Sequence, residues 1–307
     1  MGMGGAAQVV ITEEARPVSA PERWSAAPAL GYMRRNPALP LGLALLLGLL
    51  LFVVIGHLTV DVNQARPLSV RPLQPPSQDL PFGTDKQGRN LYAVMVVGTP
   101  LTLRIGLLAG VIGVTIGATL AFVAGYFGGW IDNVVKVVVD VGLTIPGLLI
   151  LIIIGMNVSG GLQVNQMVLV VGVLAWLYPT RTIRAQVLTL KRRAWVQVAR
   201  LSGMSDGEII VKEILPNLLP YLGASLVGAV SAAVLAAIGL EVLGLGPFED
   251  PTLGMTIYWV NYNAAIINGW WWWWLPPIAV IAILFTGLFM VAVGLDEIAN
   301  PRVRSRA

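Results

Sequence analysis

Few side chains in this sequence are equipped for chemistry. Among 307 residues there is no cysteine and one histidine, His57, so disulfides, thiolate metal sites and cysteine nucleophiles are excluded. His57 stands between Gly56 and Leu58 at the end of an apolar run. Acid–base or metal chemistry needs partners that this neighbourhood lacks, and a structural or interfacial role is expected for it. The segment Gly83-Thr84-Asp85-Lys86-Gln87-Gly88-Arg89-Asn90 has glycines spaced as in a phosphate-binding loop. Arg89 stands at the lysine position, Asn90 replaces the hydroxyl that would hold magnesium, and a proline-rich stretch precedes it instead of a strand. Nucleotide binding is therefore not expected there, and the chain needs no cofactor of its own. Asp85 and Arg89 are spaced to pair with each other or to meet another protein, and spacing alone leaves both open. Lys136 and Asp140, four apart, are spaced to pair on one helix face.

The other concentration of charge is the basic segment 180–216. Val187 to Val198 reads as an amphipathic helix, with Val187, Leu190, Ala194 and Val198 on one face and Lys191, Arg192 and Arg193 largely off it. Gly203 follows, then Ser205 as an N-cap with Glu208 three residues on, a capping-box pattern before Ile209-Ile210. Two helices joined at Gly203 are predicted. Such a basic hairpin suits either an anionic lipid surface or a docking surface for a cytoplasmic protein, and physics alone does not separate them.

The elements that must position these groups are membrane spans. The chain is 56% hydrophobic and 12% charged, about half the charge of a soluble domain, so a water-soluble fold and a second globular domain are both excluded. Apolar runs predict an all-α polytopic membrane protein with six spans, at Ala38–Val60, Ile105–Tyr126, Val134–Met156, Met167–Pro179, Asn217–Leu240 and Pro276–Gly294. The organisation expected is a tail at 1–37, a first span at 38–60, a proline-rich loop at 61–100, a membrane core at 101–298 and a tail at 299–307. The first long apolar run begins near Ala38, after a polar stretch, and is expected to stay as an anchor. Trp270 to Trp274 reads as an interfacial belt. Only Arg66, Arg71, Lys86, Arg89 and Arg104 of the 20 basic residues fall on the far side of this topology, which puts both termini in the cytoplasm of an inner membrane. The basic balance is explained by topology, and no nucleic-acid partner is expected.

The stretch Val196-Gln197-Val198-Ala199-Arg200-Leu201-Ser202-Gly203-Met204-Ser205, continuing to Ile214-Leu215-Pro216-Asn217, resembles the cytoplasmic loop of ABC-importer permeases. Phe82-Gly83-Thr84-Asp85 with Gly88-Arg89, Ala124-Gly125-Tyr126-Phe127-Gly128-Gly129-Trp130 with Asp132, Leu243-Gly244-Leu245-Gly246 and Pro251-Thr252-Leu253-Gly254 resemble further signatures of the dipeptide, oligopeptide and nickel branch. The resemblance implies the type I importer permease fold, with a coupling loop at 180–216. It also implies a second permease subunit, two cytoplasmic ATPases that bind ATP and magnesium, and an extracytoplasmic solute-binding protein. Ala199, Arg200, Gly203, Met204, Ser205 and Asp206 would dock an ATPase, while Asp85, Arg89, Glu241, Glu249 and Asp250 would meet the binding protein. The solute would be peptide-like, or in relatives an oligosaccharide or nickel. An ATP-independent carrier is the alternative, and it would be expected to place ionisable residues in mid-span.

Overall fold

The computed structural model describes residues 37–299, and among these every extended element is a helix. In chain order these are α1 (Ala38–Thr59), α2 (Leu91–Phe127), α3 (Gly129–Thr144), α4 (Gly147–Met156), α5 (Val164–Leu174), α6 (Leu177–Leu190), α7 (Ala194–Leu201), α8 (Leu215–Val242), α9 (Leu253–Tyr262) and α10 (Trp271–Ala299). Four helical stretches, Ala38–Thr59, Leu91–Phe127, Asp206–Val242 and Trp271–Glu297, are each long and apolar enough to cross a bilayer. The pairs α3–α4 and α5–α6 qualify as two further spans, bent by 75° and 42°. Six crossings are thus available, as composition predicts. The tails expected at 1–37 and 299–307 lie, apart from Pro37 and Ala299, outside the described residues.

Several boundaries differ from the sequence reading, each for a local reason. The second helix begins at Leu91 and not at Ile105, so the loop occupies 61–90 and Arg104 is part of a span. Asn90 caps it, its side-chain oxygen accepting from the Tyr92 backbone N–H at 3.0 Å. Leu91 to Val96, apart from the partly buried Tyr92, is apolar and buried under the far end of the fold, which stabilises turns that hydropathy had assigned to the loop. The third span breaks at Ile145-Pro146, where proline has no N–H to continue the ladder. The fourth begins at Val164 and carries on through a bend to Leu190, absorbing the first turns of the basic segment.

Around α2 the other helices pack, and they approach it closely. A Cβ added to Gly110 would lie 2.9 Å from the Val230 backbone nitrogen of α8. One at Gly113 would lie 2.7 Å from the Ala175 carbonyl carbon, and one at Gly117 3.0 Å from the Trp176 oxygen, both at the α5–α6 bend. Gly98 meets the Pro251 carbonyl before α9, and Gly125 meets Val187 of α6. The glycines let backbones come together where side-chain burial alone gives no advantage over lipid. On the other side α1 packs against α10 through Gly42, Gly287 and Gly294, while its outward leucines stay exposed to the surrounding membrane.

The loop 61–90 is ordered by one buried ion pair. Arg89 Nε donates to Asp85 Oδ2 at 2.6 Å, and the Arg89 backbone N–H donates to Asp85 Oδ1 at 2.9 Å. Asn90 Nδ2 also donates to Gln64 at 2.7 Å. The phosphate-loop spacing of Gly83 and Gly88, both at positive φ, therefore belongs to a folded cap that starts α2. The tryptophan run does two jobs instead of forming a uniform belt: Trp273 is fully buried with Leu91, Val260 and Ala265, and Trp271 faces outward.

Gly110→Leu is expected to destabilise the chain by about 1–3 kcal/mol through overpacking against α8. Gly48→Ala in α1, where nothing lies within 4 Å of an added Cβ, is expected to be neutral or stabilising by up to about 1 kcal/mol. Unfolding midpoints in one detergent compare the two, and equal midpoints would contradict the close-packing account.

Candidate functional site: a helical hairpin at one end of the bundle

The segment after α6 does not continue as the single amphipathic helix predicted over Val187 to Val198. Leu190 ends α6, Lys191 to Arg193 form a break, and α7 starts afresh at Ala194 with Arg193 extended as its N-cap. Lys191 explains the break. Its Nζ donates to the Gly125 and Tyr126 carbonyls, both at 2.9 Å, so a cation satisfies the open C-terminal carbonyls of α2. Arg184, seven residues and so about two turns earlier on the same side of α6, makes a bidentate pair with Asp132 of α3. Lys136 and Asp140, whose spacing would allow a pair, form none among the described residues, while Asp132 pairs with Arg184.

The break rotates the helix and sets which side chains α7 presents. Val196 and Ala199 turn inward onto a cluster with Phe122, Ile183, Val187, Ile209 and Ile214. Trp195, Val198 and Leu201, at three-residue spacing, turn outward, with 41, 60 and 87% of their surface exposed. An exposed apolar row on a helix outside the spans suits contact with another protein or with the lipid surface. The Arg193 guanidinium lies 5.9 Å from the centre of the Trp195 ring.

Three elements meet at Tyr126, the penultimate residue of α2. Its hydroxyl donates to Asp206 Oδ1 at 2.6 Å and accepts from Arg200 Nη2 at 3.2 Å. The Arg200 guanidinium also lies over the Tyr126 ring at 5.8 Å. The Tyr126 hydroxyl beside it holds the Arg200 guanidinium above the ordinary arginine range. Arg200 of α7 and Asp206 before α8 are therefore tied through the end of α2. The turn between them uses Gly203 at φ +84°, followed by the capping box: the Glu208 backbone N–H donates to Ser205 Oγ at 3.4 Å and the Ser205 N–H donates to Glu208 Oε2 at 3.1 Å. Residues Ile209–Ile214 then run as a π-helix into α8, a wide turn that recurs at functional sites.

The predicted docking residues are thus brought together, with different tasks. Ala199 is buried and Met204 half-buried, so both hold the hairpin to the bundle; Ser205 caps, Gly203 turns, and Arg200 and Asp206 are partly exposed and partly engaged with Tyr126. Sequence reading missed Trp195 and Leu201, and grouped Val198 with the buried Val187, because it phased the helix from α6; it quoted Tyr126 within a signature without giving it a contact to the hairpin. At the opposite end the expected contact residues divide by burial. Asp85, Arg89 and Glu241 are buried within this chain. Glu241 sits against the Thr252–Met255 turn that opens α9, with neither carboxyl oxygen hydrogen-bonded among the described residues. Glu249 is exposed and Asp250 half-buried, leaving these two acids at the surface.

Gly203→Ala is expected to cost about 1–2 kcal/mol through left-handed backbone strain, because nothing within 4 Å would clash with the added Cβ. Gly203→Asn is expected to cost less. Amide hydrogen exchange across 200–208 reads the difference, and equal protection in both variants would contradict it.

Residues 113–305 match the family described as binding-protein-dependent transport system inner membrane component, and the hairpin falls inside this stretch. The chain is 28% identical to the dipeptide transport system permease protein DppC of Alkalihalophilus pseudofirmus, across 96% of this chain and 99% of that protein. It is 29% identical to the oligopeptide transport system permease protein OppC of Mycobacterium bovis, across 76 and 79% of the two chains. A putative peptide transport system permease protein of Brucella abortus is 29% identical across 89 and 90%. With its multi-pass helical core and the family match extending over more than half its length, the chain belongs to the inner membrane components of binding-protein-dependent transport systems.

Proposed function

We propose that this chain is one of two permease subunits of an ATP-driven importer for a peptide-like solute. It would act beside a second, similar permease, with two cytoplasmic ATPases that bind ATP and magnesium and an extracytoplasmic protein that delivers the solute. The observation that carries this reading is the exposed apolar row Trp195, Val198 and Leu201 on α7, a helix whose other face is fastened to α2, α6 and α8. A surface of this kind takes a hydrophobic cleft on a soluble partner. Its fastening through Tyr126, Lys191 and the π-helix converts movement of that partner into rigid-body tilting of α2 and α8.

The peptide-like solute is inferred from what the related permeases are named for. The hairpin would face the cytoplasm, as the weight of basic residues favours. The opposite end, with Glu249 and Asp250, would face the solute-binding protein. Chemistry stays with the ATPases; this chain supplies half of the path and the lever that opens it.

Leu201→Asp is expected to leave membrane insertion and pairing with the second permease intact while lowering ATP-dependent uptake about 10-fold or more, since a carboxylate replaces a side chain buried on docking. Uptake by reconstituted complexes at wild-type levels would overturn the docking reading. Unaltered uptake without any ATPase subunit would instead establish an ATP-independent carrier.

A further inference from the structure

Among the 37 residues of α2 the only charge is Arg104. Its depth follows from the contact between α1 and α2: Thr59 and Tyr92 share a 3.4 Å hydroxyl contact, and Gly56 packs on Val96. Arg104 lies a little over two turns beyond Val96, about 12 Å further along the axis, near the middle of α1. It is nevertheless exposed on the surface of the chain. A cation at that depth belongs to a water-filled or protein-lined face, because lipid would leave it unsolvated.

The rest of that face agrees. Pro100, Arg104, Leu108, Val111, Thr115 and Thr119 recur at helical spacing, and all are exposed. The polar positions among them are Arg104, Thr115 and Thr119, spread over roughly 22 Å along the helix, with the apolar Leu108 and Val111 between. Beside it, α5 opens with the exposed Asn165 and Gln166, next to the exposed Gln163. Arg104 Nη2 donates to Asn165 Oδ1 at 3.0 Å. Its other N–H groups have no partner among the described residues, and Asn165 keeps its amide N–H groups free to donate. No carboxylate lies on α2, α4 or α5, and Glu241 of α8 is buried against α9. The arrangement is thus a cluster of donors with positive charge and no counter-ion of its own.

We propose that Arg104 and Asn165 form a carboxylate-binding station on the wall of the translocation path, which holds the carboxylate of the peptide-like solute as it passes. The inference rests on the importer reading and deepens it. A guanidinium and an amide that both donate fit the two oxygens of a carboxylate, and the Thr115–Thr119 stretch continues the wettable face past it. A carboxylate from the second permease would satisfy the same charge, so subunit pairing is the outcome that must be separated.

The test uses the full complex in proteoliposomes, with ATPases and binding protein present. The probes are a tripeptide mixture with free C-termini and the same mixture with amidated C-termini, each uptake normalised to the amount held by the binding protein. Arg104→Gln is expected to lower uptake of the free-acid mixture about 10-fold more than that of the amidated mixture, in line with loss of a charge-assisted hydrogen bond, with Arg104→Lys between. The purified variant complex is expected to retain the second permease. Equal effects on both mixtures, or loss of the second permease from the complex, would overturn the proposal while leaving the importer reading in place. ATP-independent uptake by the unsubstituted complex would overturn both.

Discussion

The close approach of α2 to its neighbours governs the rest of the structure. In a bilayer an apolar helix gains little by exchanging lipid for another apolar helix, so pairing depends on backbones coming near enough for dense contact. Along α2 the glycines at 98, 106, 110, 113, 117 and 125 serve the approach to α9, α8, the α5–α6 bend and α6 in turn. The helix becomes a spine with contacts at every level. One end is fixed by the Asp85–Arg89 cap, and the other carries Tyr126 and the carbonyls that Lys191 occupies. A displacement of the hairpin therefore has a rigid element to act upon.

Several charges near the membrane are settled within the chain. Asp85 answers Arg89, Asp132 answers Arg184, and Lys191 answers helix carbonyls. Breaking any of these would leave a desolvated charge uncompensated, which is far more costly than the pair is beneficial. Among the features left open are a hairpin with apolar side chains turned outward, and a cation at depth whose partner among the described residues is a neutral amide. They lie at different levels of the same spine, so the element that would receive motion also carries the side chain proposed to meet the solute.

The spans and the hairpin caps were legible in the sequence because their causes are local. Long apolar runs exclude solvent exposure wherever they occur, and the Ser205–Glu208 box is closed by residues three apart. The resemblance around Gly203 located the hairpin. What remained hidden depends on distant partners. The first turns of α2 are helical because Trp273 and Val260 cover Leu91, and hydropathy near Pro100 and Arg104 points the other way. The outward row on α7 depends on a break that Lys191 makes by reaching the end of α2. Glu241, an acid in a glycine-rich stretch, reads as surface until α9 is seen to fold over it. The Gly106–Gly110 and Gly113–Gly117 spacings were readable as close-packing signals, though not which helices they would admit.

The central claim is that the outward face of α7 engages an ATP-hydrolysing subunit and moves with it. The chain has no cysteine, so a single cysteine at Val198 provides one thiol at a half-exposed position on that face. Photo-crosslinking from this thiol in native membranes, with the adducts identified by mass spectrometry with and without ATP, tests the claim directly. The account predicts adducts to an ATP-hydrolysing protein, at sites that change with nucleotide. Adducts to lipid alone, or to a protein whose contact sites ignore nucleotide, would contradict it.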